Sequence, residues 1–222
     1  MNSTVNGERV KSTLSSPRLS TYEKEVSDLD SALELYLWNA NVSGAFLPCL
    51  HICEVTIRNA VSEVLFKLHG NQWPWNKGFI NTLPNPARIN LQQASTKSSD
   101  VNKVIPELNF VFWQKMFTSR HDDQLWLPYF RTVFPNANTN ITVKALRGEV
   151  YNDLERIRKL RNRIAHHEPV FSRKLDEDYQ AIIKIIGYRC NDTAEWLNLN
   201  QSVGSMLSKK PFRMLEPFLN FV

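Results

Sequence analysis

The chain has 222 residues, 42% of them apolar, enough to bury a real core in one compact domain. Its net charge of +5 favours an anionic partner but is too modest for a protein that coats nucleic acid in bulk. Three cysteines, an odd number, build no disulfide framework and suit a reducing cytoplasm.

Residues 1–17 are rich in Ser, Asn and Thr, lack the apolar block of a secretory signal, and read as a flexible leader. Ser27 or Asp28 is placed to cap a helix running to about residue 46, with Leu29, Leu33, Tyr36, Leu37 and Ala40 inward. Pro48 is placed to open the next helix, which Gly70 and the Trp73-Pro74-Trp75 turn end. Residues 42–66 are the most hydrophobic region, but His51, Glu54, Arg58, Asn59 and Glu63 interrupt it, which argues against an ordinary membrane span. Cys49 and Cys53 flank His51 without a second ligand pair at zinc spacing, so core thiols are the simpler reading and no metal is expected.

Farther along, a short helix is expected at 87–95, then an exposed polar loop at 96–100. Pro106 opens a helix bearing Leu108, Phe110, Trp113 and Phe117, and residues 124–134 form a short aromatic helix stopped by Pro135. The helix at 141–167 has an apolar face of Val143, Leu146, Val150, Leu154, Ile157 and Ile164. Two last helices are expected at 176–188 and 193–207. With no strand pattern of any length, the fold reads all-α: one domain over 18–210, followed by a tail at 211–222.

The most informative stretch is 160–171, Leu-Arg-Asn-Arg-Ile-Ala-His-His-Glu-Pro-Val-Phe. It sets Arg161 and His166 five residues apart at the end of a basic helix. Guanidinium offers a fixed fork of donors suited to phosphate, and imidazole exchanges a proton near neutral pH. At i, i+5 the two side chains leave a helix roughly 140° apart and about 7.5 Å along its axis. Arg158, Asn162 and His166 therefore form one ridge, and Arg161 turns toward the packed side. One helix closes poorly around a phosphate with this layout, whereas two facing copies could form a cleft. Arg156, Arg158, Lys159, Arg161 and Arg163 give a basic run that would contact phosphates, or would simply complement the helix dipole as a solvated face. Glu54 and Arg58 have i, i+4 spacing, an ordinary helix pair worth about 0.2–0.5 kcal/mol. With Asn59 they could also brace the basic helix.

The motif at 161–171 resembles the hallmark of Abi-like (abortive infection) proteins of bacteria, within the wider HEPN superfamily, whose signature is Arg, four to six residues, then His. Glu54-Val55-Thr56-Ile57-Arg58-Asn59-Ala60 is similar to that family's early Glu-x-x-x-Arg-Asn helix. Residues 104–113 are similar to its middle aromatic helix, and Leu125-Trp126 and Thr193-Ala194-Glu195-Trp196 fall in matching order, so the resemblance covers about 18–200. It implies an all-helical bundle of HEPN type with additional helices, and a homodimer that joins two motifs. It also implies a metal-independent, cofactor-free endoribonuclease leaving a 2′,3′-cyclic phosphate, used as a defence effector or toxin. On that resemblance Arg161 supports the phosphoryl charge, His166 is the general acid or base, and Asn162 orients the site. Arg158, Lys159, Arg163 and His167 would contact RNA, with Glu54, Arg58, Asn59 and Glu168 supporting. A neutralising antitoxin or non-coding RNA is a further partner the family allows. The competing readings are a non-catalytic RNA-binding or scaffold protein of the same fold, and an accessory to a separate phosphoryl-transfer enzyme.

Overall fold

Among residues 5–211, which the computed structural model describes, every regular element is helical and no strand occurs. The chain begins with α1 (Gly7–Leu14) and α2 (Ser16–Glu23), so the residues expected to form a leader are largely helical. Asn6 caps α1 by accepting from the Arg9 amide at 3.1 Å, and Lys11 pairs with Glu23 of α2 at 2.6 Å. α1 buries none of its residues, whereas α2 sinks Leu19 and Tyr22 into the core. Polarity thus described α1 correctly; local capping and the ion pair supply the order that composition did not suggest.

α3 (Leu29–His69) is one helix of 41 residues, where the sequence suggested two. Asp28 caps it, accepting from the Ser31 amide at 2.8 Å, and this bond holds the carboxyl below its ordinary value. Pro48 lies inside the helix rather than at its start. Its missing N–H would have bonded the Gly44 carbonyl, and both residues are exposed, so water can take that acceptor. The buried stripe Leu35, Trp38, Val42, Phe46, Cys49, Cys53, Ile57, Ala60 and Val64 carries the helix through the proline. α3 is long and apolar enough to cross a membrane, and this buried stripe accounts for much of its apolar content.

A 3-10 turn at Gly70–Trp75 buries Trp73, and α4 (Lys77–Thr82), α5 (Asn85–Ser95), α6 (Val101–Val104) and α7 (Phe110–Lys115) follow. Pro106 sits in a 3-10 turn, and Asn109 caps α7 at 2.9 Å, so the helix opens four residues later than expected. The segment read as a helix from 124 starts as a π-helical turn, Asp122–Trp126, and continues as α8 (Leu127–Val133). There Trp126 stacks on Phe117 at 4.3 Å and donates to the Met116 carbonyl at 2.7 Å.

α9 (Val143–Ala165), α10 (Leu175–Arg189), α11 (Asn191–Asn200) and α12 (Val203–Ser208) complete the chain. The two last were expected as one helix. Gln201 is extended and accepts from the Gly204 amide at 3.1 Å, a local side-chain bond that breaks the run. α10 packs on both α3 and α9, and this trio forms the centre of the molecule. Lys184 of α10 links to Glu149 and Asp153 of α9 at 2.7 and 2.6 Å. Arg147 grips Asp122 at 2.8 and 3.2 Å and ties α9 to the π turn. Most of the expected C-terminal tail, like residues 1–4, lies outside the described residues.

Candidate functional site

Thr142 caps α9, accepting from the Ala145 amide at 3.3 Å, and Leu146, Val150, Leu154, Ile157, Leu160 and Ile164 bury its inner face. That face fixes the rotation of the helix and hence where its polar residues point. At the far end His166 leaves helical geometry with φ −95° and ψ 9°. His167 then takes φ 54°, the left-handed conformation that helix C-termini usually assign to glycine. The His167 amide donates to the Ile164 carbonyl at 3.0 Å, and the Glu168 amide donates to the Arg163 carbonyl at 2.8 Å. This is a Schellman turn with a histidine in the glycine position.

Three further bonds hold the turn. Arg18 of α2 donates to the His167 carbonyl, and Arg163 to the Pro169 carbonyl, both at 2.7 Å. The Val170 amide donates to the buried Asn39 side chain, also at 2.7 Å, and Val170 and Phe171 return to the core. The backbone is thus fixed on both sides of the two histidines, whose own side chains are exposed.

Arg161 points to the packed side, as its position on the helix requires, and meets Glu54 of α3 at 3.4 Å. Glu54 therefore pairs across the fold rather than with Arg58, which forms no ion pair among the described residues; Asn59 is exposed. Arg158 holds both oxygens of Glu155, at 2.9 and 2.7 Å, and Gln114 adds a third bond at 2.8 Å. The Arg158 hydrogen bonds lead in holding the Glu155 carboxyl down to about 2. Lys159 lies 3.7 Å from the same carboxylate, and Arg163 lies 3.9 Å from Glu168. The basic run is therefore not a bare positive surface, because each of these cations has a carboxylate beside it. Asn162, half-buried, shares the outer ridge with the exposed His166.

An apolar groove of about 400 Å³ adjoins the turn, lined by Tyr22, Tyr36, Ser43, Leu47, Ile164 and His167 among others. Cys49 and Cys53 are fully buried, and burial pushes the Cys49 thiol up to about 11; His51 faces solvent. Among the described residues no three His, Cys, Asp or Glu side chains gather as metal ligands.

Arg18 and Asn39 were absent from the sequence reading. Asn39 had a signal: it falls between Leu35, Val42 and Phe46 on the inner stripe, where a polar residue needs a partner. Arg18 had none. The chain matches no family model, no curated protein and no solved structure.

Proposed function

We propose that this chain is a metal-independent endoribonuclease of the abortive-infection type, a cytoplasmic defence effector or toxin whose active site is shared between two copies. The observation that carries this reading is the turn at the end of α9. It holds the exposed His166 on a fixed backbone, five residues from a half-exposed guanidinium. In the proposed reaction a base takes the proton of an RNA 2′-hydroxyl, and that oxygen attacks the adjacent phosphorus. The 5′-oxygen of the next nucleotide leaves and receives a proton, giving a 2′,3′-cyclic phosphate and a 5′-hydroxyl. His166 is the acid or base, Arg161 supports the charge growing on the phosphoryl oxygens, and Asn162 orients the phosphate.

Within one chain Arg161 leans toward Glu54 and His166 stands on the outer ridge, which supports a dimer that supplies Arg from one copy and His from the other. The test is incubation of purified protein with total RNA in EDTA, with mapping of fragment ends alongside sedimentation at micromolar protein. Cyclic-phosphate ends from a dimer are the expected result. Intact RNA would end the enzymatic reading, and cleavage by a strict monomer would end the shared site.

A second reading, a non-catalytic RNA-binding or scaffold protein of this fold, draws on the carboxylates beside Arg158, Lys159, Arg161 and Arg163. Growth arrest on overexpression, relieved by His166→Ala, separates the two.

A further inference from the structure

Asn152, Arg156, Lys159, Asn162 and His166 follow one another at steps of three or four residues, so they share one outer row of α9. Opposite the lower part of this row, the segment joining α9 to α10 brings Arg173 and Lys174. Between the two walls lies a polar cleft of about 410 Å³, lined by Asn152, Glu155, Arg156, Lys159, Arg173 and Lys174, with Asp178 at its base.

Its charges do not balance. Arg156, Arg158, Lys159, Arg173 and Lys174 share three carboxylates, those of Glu155, Glu177 and Asp178. Asp178 is buried and is held by both arms of Arg173, at 2.8 and 2.9 Å. Glu177 divides between Arg156 and Lys174, each at 2.9 Å. Arg158 takes both oxygens of Glu155, so Lys159 is left 3.7 Å away, beyond hydrogen-bond reach. Among the described residues the exposed Asp176 forms no ion pair with any of them, though its charge acts on Lys174 from farther off. The side chains of Lys159 and Lys174 are 61% and 76% exposed, one on each wall, so both ammonium groups face the opening, Lys174 while bonded to Glu177 at 2.9 Å.

We propose that this cleft binds a backbone phosphate of a single RNA strand that runs along the row to His166, an inference that rests on the RNA reading above. Lys159 and Lys174 close on the phosphate from opposite walls as mobile point charges, and the Asn152 amide donates from below. Lys159 precedes His166 by about 10 Å along the helix axis, so the bound phosphate flanks the cut rather than being cut. Contacts of this kind set the strand's direction without reading its bases.

The experiment measures binding of a short, labelled single-stranded RNA across a salt series, with His166→Ala as the uncleaving parent. Lys159→Gln with Lys174→Gln should flatten the slope of log affinity against log salt by about 0.7, since the two lysines share one phosphate and each single-strand phosphate neutralised contributes about 0.7. Lys97→Gln removes a cation paired with Glu107, far along the chain, and should leave the slope unchanged. An unchanged slope in the double variant, or an equal fall in Lys97→Gln, overturns the cleft while the RNA reading stands. No binding by the parent at low salt overturns both.

Discussion

His167 carries a side chain where a left-handed helix terminus normally favours none. For an L-residue that conformation costs about 1–2 kcal/mol, and glycine recovers part of it while losing more backbone entropy on folding. His167→Gly should therefore raise stability by roughly 0.5–1 kcal/mol in urea unfolding, and the β-branched His167→Val should lower it by more. The neighbouring His166 has ordinary bridge-region backbone, so its replacement tests chemistry rather than strain. In the proposed reaction His166→Ala should slow RNA cleavage by about 10²–10⁴ and leave RNA affinity nearly intact, read by single-turnover kinetics beside a binding isotherm. Arg161→Ala should lower both, and Arg161→Lys should restore binding better than turnover, because lysine lacks the planar fork.

At the scale of elements, α3 shows how packing overrides a local signal. An interior proline usually costs a helix about 3 kcal/mol, and Pro48 removes the bond that the exposed Gly44 carbonyl would accept. Pro48→Ala should restore that bond and raise the thermal midpoint, with a gain of about 1–3 kcal/mol. An unchanged midpoint would mean that water already satisfies the carbonyl. The same override explains what could be read in advance. The core-facing stripe of α9, α5 and the polar loop at 96–100 follow from periodicity and turn residues within a few positions of one another. The direction of Arg161 follows from helical spacing alone, and its meeting with Glu54 agrees. The bonds that hold the histidine turn were not legible. Arg18 reaches His167 across 149 positions and Asn39 reaches Val170 across 131, and no local pattern encodes such pairings. The break between α11 and α12 was missed for the opposite reason, since one glutamine side chain decides it.

For the whole molecule, two groups tie stability to pH in successive windows. His121 is buried beside the π turn, and burial, with Arg120 adding to it, lowers its pKa from 6.5 to about 4. Between those values the unfolded chain binds a proton that the native one refuses, so this contribution is complete above pH 6.5 and falls away toward pH 4. Glu155, held at about 2 against an ordinary 4.5, contributes fully above 4.5 and is lost as pH falls toward 2. Urea midpoints from pH 8 down to about 2 should therefore fall in two steps. His121→Gln should remove the upper step, and Glu155→Gln should shrink the lower, to which the capped Asp28 also contributes; an upper step that survives His121→Gln would contradict the assignment.

The bond from Arg18 to the His167 carbonyl joins the first helices of the chain to the last turn of α9. A cut in the short stretch between Glu23 and Leu29 would leave the central trio whole yet take away one of the restraints on the histidine turn. Amide hydrogen exchange localises such a loss, whereas thermal melting would register mainly the lost burial of Leu19 and Tyr22. The Glu168 amide, bonded to the Arg163 carbonyl at 2.8 Å, should exchange faster after proteolytic removal of the first helices, while amides in the middle of α9 keep their protection. Arg18→Ala in the intact chain should produce the same local loosening. The N-terminal segment would then be a clip whose removal softens the histidine turn while the centre of α9 stays folded.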